Sequence, residues 1–135
     1  MRRRASDKLT GQMQSNALIV GVLAWCVPGA GHFLVGQTRK AVIFLAVLGG
    51  MFLIGLAFGG ELVPFRTAEP LVFLTAVAQW ALLVPRVVSA VIGAGGGDVV
   101  AVTYEYGNTF LIVSGLLNML VVFDALDLAR GVKRR

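Results

Sequence analysis

Arg86 is the residue of this sequence that points most directly to chemistry. It lies in an apolar stretch, where Thr75, Gln79 and Arg86 follow one another at spacings of four and seven residues. That spacing places them on one stripe of a helix. A charge inside a bilayer is costly unless a partner offsets it. Two interpretations are open: a structural ion pair with Asp98 or Glu105, which we favour, or a transport or catalytic role in which a substrate anion docks on the guanidinium.

A second polar cluster lies at the end of the glycine-rich loop 93–107, where Tyr104, Glu105 and Tyr106 are consecutive and Asn108 follows. The glycines do not form a phosphate-binding loop, because no Gly-Lys-Ser/Thr follows them. Tyrosines in such a place are typical of a membrane interface. The plain interpretation is a flexible loop, and the alternative is a ligand or partner site built from Glu105 and the two tyrosines.

Asn118 and His32 are polar residues in apolar surroundings. Asn118 lies one turn after Ser114, and its amide needs a partner on another helix, so we predict a role in helix packing. His32 is the only histidine, and its neighbours offer no further metal ligands. We expect it to form hydrogen bonds at the membrane interface. No serine has a recognisable base nearby, so the sequence predicts no catalytic residue, no metal site, no cofactor and no enzyme activity.

Two further groups have structural interpretations. Asp124 and Asp127 precede Arg130. They either form exposed charge pairs along one helix, which we favour, or serve as a proton relay. Gly55 and Gly59 form a small-residue face that lets two helices approach closely. That face packs either within the chain, which we favour, or against a second copy.

The composition indicates a membrane protein. Of the 135 residues, 57% are hydrophobic and only 14% are charged, whereas soluble domains are about a quarter charged. The net charge of +5 comes from basic residues at the two ends of the chain, which are typical of segments that flank membrane helices. Nucleic acid is not a predicted partner, because the chain lacks an aromatic and basic surface for bases. A single cysteine, Cys26, excludes an intrachain disulfide.

The elements that must position these residues are four apolar stretches, at residues 17–36, 41–60, 70–93 and 108–128. Each is long enough to cross about 30 Å of hydrocarbon as a helix. We therefore predict an all-α fold: one integral membrane domain over residues 1–135 with about four transmembrane helices. Pro28 and Gly29 disfavour a continuous first helix, so we expect it to break there.

The positions of lysine and arginine orient these spans. With four crossings and the N-terminus inside, the outer side carries only Arg39 and Lys40. The inner side then carries nine basic residues: Arg2, Arg3, Arg4, Lys8, Arg66, Arg130, Lys133, Arg134 and Arg135. If residues 17–36 instead entered the membrane and returned to the same side, three crossings would remain. One side of the membrane would then carry six basic residues and the other side five. We favour four crossings, both termini in the cytoplasm and a location in the cell inner membrane.

Resemblance to known families adds to this prediction. Residues 28–36 read PGAGHFLVG and are followed by Arg39, Lys40 and an apolar run. This stretch resembles the hairpin of the two-transmembrane-helix domain, although Leu34 stands where that domain usually has a second aromatic residue. The whole chain, including TYEYGNTFLIVSGLLNMLVVFDALDLA near its end, is similar to an uncharacterised bacterial domain-of-unknown-function family of small multi-pass membrane proteins. That resemblance implies a bacterial inner membrane and no particular chemistry.

Two functional hypotheses follow. The favoured one is a non-enzymatic membrane scaffold or accessory subunit that binds the lipid bilayer and either a membrane-protein partner or a second copy. Its polar residues suit helix packing better than chemistry. The alternative is a small transporter or channel component in which Gln79, Arg86, Asn118 and Glu105 line a polar path.

Overall fold

The computed structural model describes residues 1–66 and 68–131, with the backbone alone for residues 9–10 and 12–15. Lys133, Arg134 and Arg135, which the orientation argument counts, lie outside these residues. Within the described ranges the chain is helical: α1 (Arg2–Cys26), α2 (Ala30–Leu34), α3 (Thr38–Ala57), α4 (Pro70–Trp80), α5 (Leu83–Val91) and α6 (Tyr104–Ala129). The prediction of an all-α fold is confirmed.

Helices α3 and α6 form the central pair of the bundle and run antiparallel. Near one end, a Cβ added to Gly55 would lie 2.9 Å from the carbonyl oxygen of Gly107. Near the other end, Phe44 of α3 and Asp124 of α6 line the same cavity. The close approach at Gly55 therefore lies within the chain, as predicted. Gly59 does not take part in that helix face, because it lies beyond α3 with a φ of +83°.

The first apolar stretch breaks where the sequence predicts. Pro28 has no N–H to continue α1 and disfavours a helical conformation in the residue before it. Accordingly, α1 ends at Cys26, and Val27 is extended with φ −131° and ψ 125°. Gly29 then adopts a φ of +85°, which glycine reaches without steric cost. This turn reverses the chain.

Helices α1 and α2 consequently form a hairpin that returns to the end of the bundle from which it enters. A Cβ on Gly21 would touch Leu126, at the C-terminal end of α6. At the end of α2, Val35 shares a cavity with Asn16 of α1 and Ala129 of α6. The start of α3 therefore lies beside the start of the apolar part of α1, not across the bundle from it.

Helices α4 and α5 form a second hairpin, with their axes bent by 102°. Along α4, Ala78 contacts Gly115 and then Ala81 contacts Asn118, so α4 runs into the bundle in the same direction as α6. Helix α4 follows the end of α3 in the chain, so this second hairpin enters from the end opposite to the first.

Helix α5 leads the chain back to the end of the bundle where α3 finishes. Beyond α5, the Gly95 carbonyl accepts a hydrogen bond of 2.8 Å from the N–H of Leu62. The N–H of Asp98 donates to the carbonyl of Gly59 at 2.9 Å. Leu62 and Gly59 both lie just after α3. The second hairpin therefore also returns to the end of the bundle from which it enters.

The count of membrane-length helices corrects the sequence prediction. Of the described helices, α3 and α6 are long and apolar enough to cross a membrane, and a third span exists only if α4 and α5 together count as one. The prediction of four spans is therefore wrong. The apolar part of α1 covers only Asn16–Cys26, about 16 Å of helix. That length is far short of the roughly 30 Å of hydrocarbon in a bilayer.

The two ends of the bundle differ in charge. The end where α1 begins, which we call the basic end, carries seven of the described basic residues: Arg2, Arg3, Arg4, Lys8, Arg39, Lys40 and Arg130. The opposite end, which we call the acidic end, carries Glu61, Glu69, Asp98 and Glu105 with one exposed basic residue, Arg66. An excess of basic residues at one end of a bundle is the property that orients membrane helices.

Candidate functional site

Asn118 of α6 joins the tips of the two hairpins, and we call this contact the hairpin junction. The side chain is fully buried, and its Nδ2 donates to the carbonyl of Ala24 at 3.2 Å and to the carbonyl of Ala81 at 2.8 Å. Each carbonyl lies four residues before a proline, Pro28 or Pro85, so neither can accept the usual helical N–H. One amide therefore satisfies two carbonyls that the prolines leave open. Asn118 thus has partners on other helices, as the sequence analysis expects.

The hairpin tips also touch each other directly. Trp25 Nε1 donates to the carbonyl of Trp80 at 2.9 Å. Beside this contact lies a cavity of about 290 Å³ with an apolar lining that includes Phe65, Met119 and Phe123. The junction is thus a polar contact next to an apolar cavity.

The two hairpin tips share a sequence pattern that the sequence analysis missed. Ala-x-x-Val-Pro occurs at residues 24–28 and again at residues 81–85. Each copy is followed by a short return helix and then by a long helix, α3 in the first half and α6 in the second. The two halves enter the bundle from opposite ends, as in an inverted-topology repeat. A pair of proline-interrupted apolar stretches is the sequence signal for such a repeat.

Gln79 is the centre of a hydrogen-bond network at the acidic end. Its Nε2 donates to the carbonyl of Glu61 at 2.8 Å, and its Oε1 accepts from the N–H of Val63 at 2.9 Å. Arg86 donates from Nη1 to the same Oε1 at 3.1 Å and from Nη2 to the carbonyl of Val63 at 2.7 Å. The sequence analysis placed Gln79 and Arg86 on one continuous helix. The structure instead places Gln79 in α4 and Arg86 in α5, on either side of the bend. Together they fasten the non-helical segment 61–66 to the second hairpin.

The predicted cluster at the start of α6 divides into two pairs. The hydroxyl of Tyr104 donates to Glu61 Oε2 at 2.7 Å, and Asn108 Oδ1 accepts from the N–H of Glu61 at 2.8 Å. Both residues therefore belong to the acidic-end network. Glu105 and Tyr106 are exposed, Tyr106 by 65%, and lie outside it. The structure brings together Gln79, Arg86, Tyr104 and Asn108, through a residue, Glu61, that the sequence analysis did not single out.

The predicted ion pair of Arg86 is wrong. Among the described residues, Arg86 forms no ion pair with Asp98, Glu105 or any other carboxylate. Its hydrogen-bond partners are the neutral oxygens of the network, and its guanidinium carbon lies 4.9 Å from the centre of the Trp80 ring. The surrounding oxygens and the ring face accommodate the charge without neutralising it.

His32 and Asp124 form a pair near the basic end. His32 is fully buried, and its Nε2 lies 2.7 Å from Asp124 Oδ2, with Lys40 Nζ at 4.0 Å from the same oxygen. The Phe44 ring packs edge-on against the imidazole at 4.9 Å. The predictions placed His32 at the interface and Asp124 on an exposed helix face. The structure instead places both at the contact between α2 and α6, because the hairpin folds α2 back onto that helix.

We predict that this pair holds α2 in place. Replacing His32 with phenylalanine should lower the unfolding free energy by about 1–3 kcal/mol, since Asp124 loses a charge-assisted hydrogen bond. A double-mutant cycle with Asp124→Asn, followed by thermal unfolding in detergent, should give a coupling of at least about 1 kcal/mol. Strictly additive effects would contradict the prediction. Asp127→Asn, at an exposed position of the same helix, is the matched control and should change little.

These groups define a class of protein: a small helical bundle with two or three helices able to span a membrane. In this bundle, polar side chains hold in place two hairpins, each made of a pair of helices with a break between them. The chain belongs to the family of unknown function DUF6677, whose model matches residues 19–134. The prediction of an uncharacterised domain family is confirmed to that extent. No curated protein and no solved structure matches the chain.

Proposed function

We propose that this chain is a multi-pass protein of the cell inner membrane that acts as a scaffold or accessory subunit without catalytic activity. One observation supports this proposal above the others. The buried polar side chains that could do chemistry, Gln79, Arg86, Asn118 and His32, bond to parts of the same chain and hold its hairpins. They build a rigid shape rather than an open reaction site.

The outer surface of the central helices supports a membrane location. Helix α3 exposes Val42 by 59%, Ile43 by 57% and Leu53 by 66%, and α6 exposes Leu120 by 63% and Phe123 by 56%. Soluble monomers rarely expose apolar patches of this extent. Hydrocarbon around α3 and α6 would cover these side chains.

The charge difference supports an orientation with both termini in the cytoplasm. In this arrangement α3 and α6 cross the bilayer, and the two hairpins dip in from opposite faces. Seven of the described basic residues then lie at the basic end, against Arg66 at the acidic end. The two sides of the membrane thus differ more in their number of basic residues than they do in the four-span arrangement. This difference favours a cytoplasmic location for the basic end.

Cysteine labelling tests this topology at Arg39, which the four-span arrangement places outside. In a Cys26→Ala background, we expect a membrane-impermeant maleimide on intact cells to label Glu105→Cys but not Arg39→Cys. Both positions are exposed, so Arg39→Cys should react once the cells are permeabilised. Labelling of Arg39→Cys from outside would overturn the two-crossing topology. Asp7→Cys serves as the control for the cytoplasmic side.

The accessory role is tested by extraction in mild detergent and measurement of the mass of the complex. A membrane protein that co-purifies at a fixed stoichiometry, and that protects exposed positions of α3 from labelling, supports the proposal. A monomer with no partner, or a homo-oligomer that conducts ions or solutes in liposomes, counts against it.

A transporter or channel component is the second candidate, because one observation favours it. Broken half-helices that enter from opposite faces and meet mid-bundle are typical of transporter folds. The predicted polar path does not form among the described residues, however. Arg86 belongs to the acidic-end network, Asn118 is enclosed at the hairpin junction, and Glu105 is exposed on α6. The scaffold role therefore has the stronger support.

A further inference from the structure

A groove of about 410 Å³ opens to the outside between the first hairpin and the start of α3. All the residues that line it are apolar, and they come from α1, α2, α3 and the turn between α1 and α2. The buried ones, Pro28, Gly29 and Ala41, form its floor. The exposed ones form its rim: Leu23, Phe33, Leu34, Val42 and Leu45. Because none of these lining residues has a polar side chain to bind water, the groove suits hydrocarbon.

Backbone contacts give the groove a fixed shape. A Cβ added to Gly29 would overlap the carbonyl oxygen of Ala41, so the turn packs directly on the first turn of α3. Helix α2 then ends after five residues, which is about 7.5 Å of helix, and leaves the side chain of Val42 uncovered. Leu34, at the end of α2, also lines the cavity that contains Asn16 at the basic end. The groove therefore runs from the basic end toward the hairpin tip.

Arg39 supplies a positive charge where the groove meets the basic end. It lies three residues before Val42, on the same face of α3, and helical side chains tilt toward the N-terminus of their helix. The guanidinium is therefore directed past the rim toward the basic end. Arg39 is exposed, and in the described part of the chain it forms no ion pair, whereas the neighbouring Lys40 lies 4.0 Å from Asp124. The groove thus has an apolar interior and a free cation at its mouth.

This combination of groove and cation fits an anionic amphiphile. A free anion would leave the apolar floor uncovered. A second copy of the chain would fit poorly, because copies in one membrane share an orientation and their basic ends would meet and repel each other. The cytoplasmic leaflet contains anionic lipids, whose headgroups attract basic side chains near the membrane surface. A lipid molecule offers both an acyl chain for the groove and a phosphate for Arg39.

We propose that the groove binds one acyl chain of an anionic phospholipid of the cytoplasmic leaflet, with the lipid phosphate against Arg39. This inference rests on the proposed membrane location and on the cytoplasmic basic end. The acyl chain lies over Gly29 and Ala41, between Phe33 of α2 and Val42 of α3. The guanidinium binds the phosphate oxygens through charge-assisted hydrogen bonds. The lipid then joins the first hairpin to α3.

Thermal unfolding of the detergent-solubilised full chain tests the headgroup contact. Phosphatidylglycerol should raise the unfolding temperature more than phosphatidylcholine does, because a ligand that binds the folded state stabilises it. In Arg39→Gln the affinity for phosphatidylglycerol should fall about fivefold, since one basic residue near an anionic lipid contributes about that factor. Equal effects of the two lipids on the wild type would overturn the proposal. Inorganic phosphate that reproduces the full effect would also overturn it, since the ligand would then be a free anion.

Arg130→Gln is the matched control for the charge. Arg130 is also exposed at the basic end, but it follows α6 and does not line the groove. This variant should bind phosphatidylglycerol like the wild type. An equal loss in the two variants would overturn the assignment, because the lipid would then respond to the total charge of the basic end and not to Arg39.

Val42→Trp tests the acyl-chain contact, and Ile43→Trp is its control. The two residues are exposed to a similar extent, 59% and 57%, but only Val42 lines the groove. A tryptophan ring at this rim position should occupy the groove, so the variant should lose most of the phosphatidylglycerol that the wild type retains through detergent exchange. Ile43→Trp should retain it. Equal retention in the two variants would overturn the proposal, as would a dimer that only Val42→Trp dissociates.

This proposal and the proposed topology can fail separately. Cysteine labelling at Asp7 and Glu105 reports the topology whether or not lipid binds, because neither residue lines the groove. External labelling of Asp7→Cys would overturn the cytoplasmic basic end. Equal lipid binding by the wild type and Arg39→Gln would overturn the lipid site alone.

Discussion

Replacing Asn118 with leucine is expected to lower the free energy of unfolding by about 2–6 kcal/mol, because two buried carbonyls each lose a partner at about 1–3 kcal/mol. The affected carbonyls belong to Ala24 and Ala81. No backbone N–H can replace the amide, since Pro28 and Pro85 occupy the positions that would supply it. The substitution should therefore weaken both hairpins at once.

Thermal unfolding in detergent measures this effect, and Asn108→Leu is the matched control. Asn108 is half-buried, accepts a hydrogen bond from the N–H of Glu61 and also bonds to the Tyr104 hydroxyl, so its loss should cost about 1–2 kcal/mol. Trp25 and Trp80 lie at the hairpin tips, and their fluorescence should change in Asn118→Leu. If the two variants unfold at the same temperature, Asn118 does not hold the hairpins together.

Replacing Gly115 with alanine is expected to destabilise the bundle by about 3 kcal/mol, as overpacking against a rigid neighbour does. The added methyl group would overlap the carbonyl oxygen of Ala78. Because this oxygen belongs to the backbone of α4, no side-chain rotation can relieve the clash. Helix α4 would have to move away from α6, and the bond between Asn118 and Ala81 one turn further along would weaken as well.

Gly49→Ala provides the control for this substitution. Gly49 lies within α3, and a Cβ added there would meet nothing within 4 Å. Alanine is the better helix former by about 0.5–1 kcal/mol, so this variant should unfold at the same temperature as the wild type or slightly higher. Unfolding of Gly115→Ala at the wild-type temperature would refute the close packing of α4 on α6.

The inverted repeat explains why one asparagine has such a large expected effect. The two Ala-x-x-Val-Pro segments bring two equivalent orphan carbonyls to the same place from opposite ends of the bundle. The amide of Asn118 has two N–H groups, one for each carbonyl. A serine or threonine has only one donor and could satisfy only one hairpin.

The sequence by itself determined the class of the protein and several local features. The excess of apolar residues over charged ones is typical of membrane proteins rather than of soluble domains. The absence of alternating patterns favours helices over barrel strands. The break at Pro28 and Gly29 follows from a missing N–H and from glycine's access to positive φ. Each of these conclusions depends on composition or on a few neighbouring residues, so no knowledge of the tertiary fold is needed.

The sequence also indicated which polar residues are structurally important, but not their partners. Gln79, Arg86 and Asn118 were singled out because polar groups in apolar segments need hydrogen bonds. The partners are backbone carbonyls, of Glu61, Val63, Ala24 and Ala81. Every residue has such a carbonyl, so residue types do not reveal which one is left open.

Only the tertiary structure decided the direction of the chain after each proline. A helix that breaks at Pro28 or Pro85 satisfies the same local preferences whether it continues across the bundle or turns back. Packing makes the choice: Gly31 fits against Ala24 only in the returning hairpin, where an added Cβ would lie 2.7 Å from the Ala24 methyl group. Four apparent spans thus become two long helices and two hairpins, because contacts between distant segments outweigh the length of an apolar run.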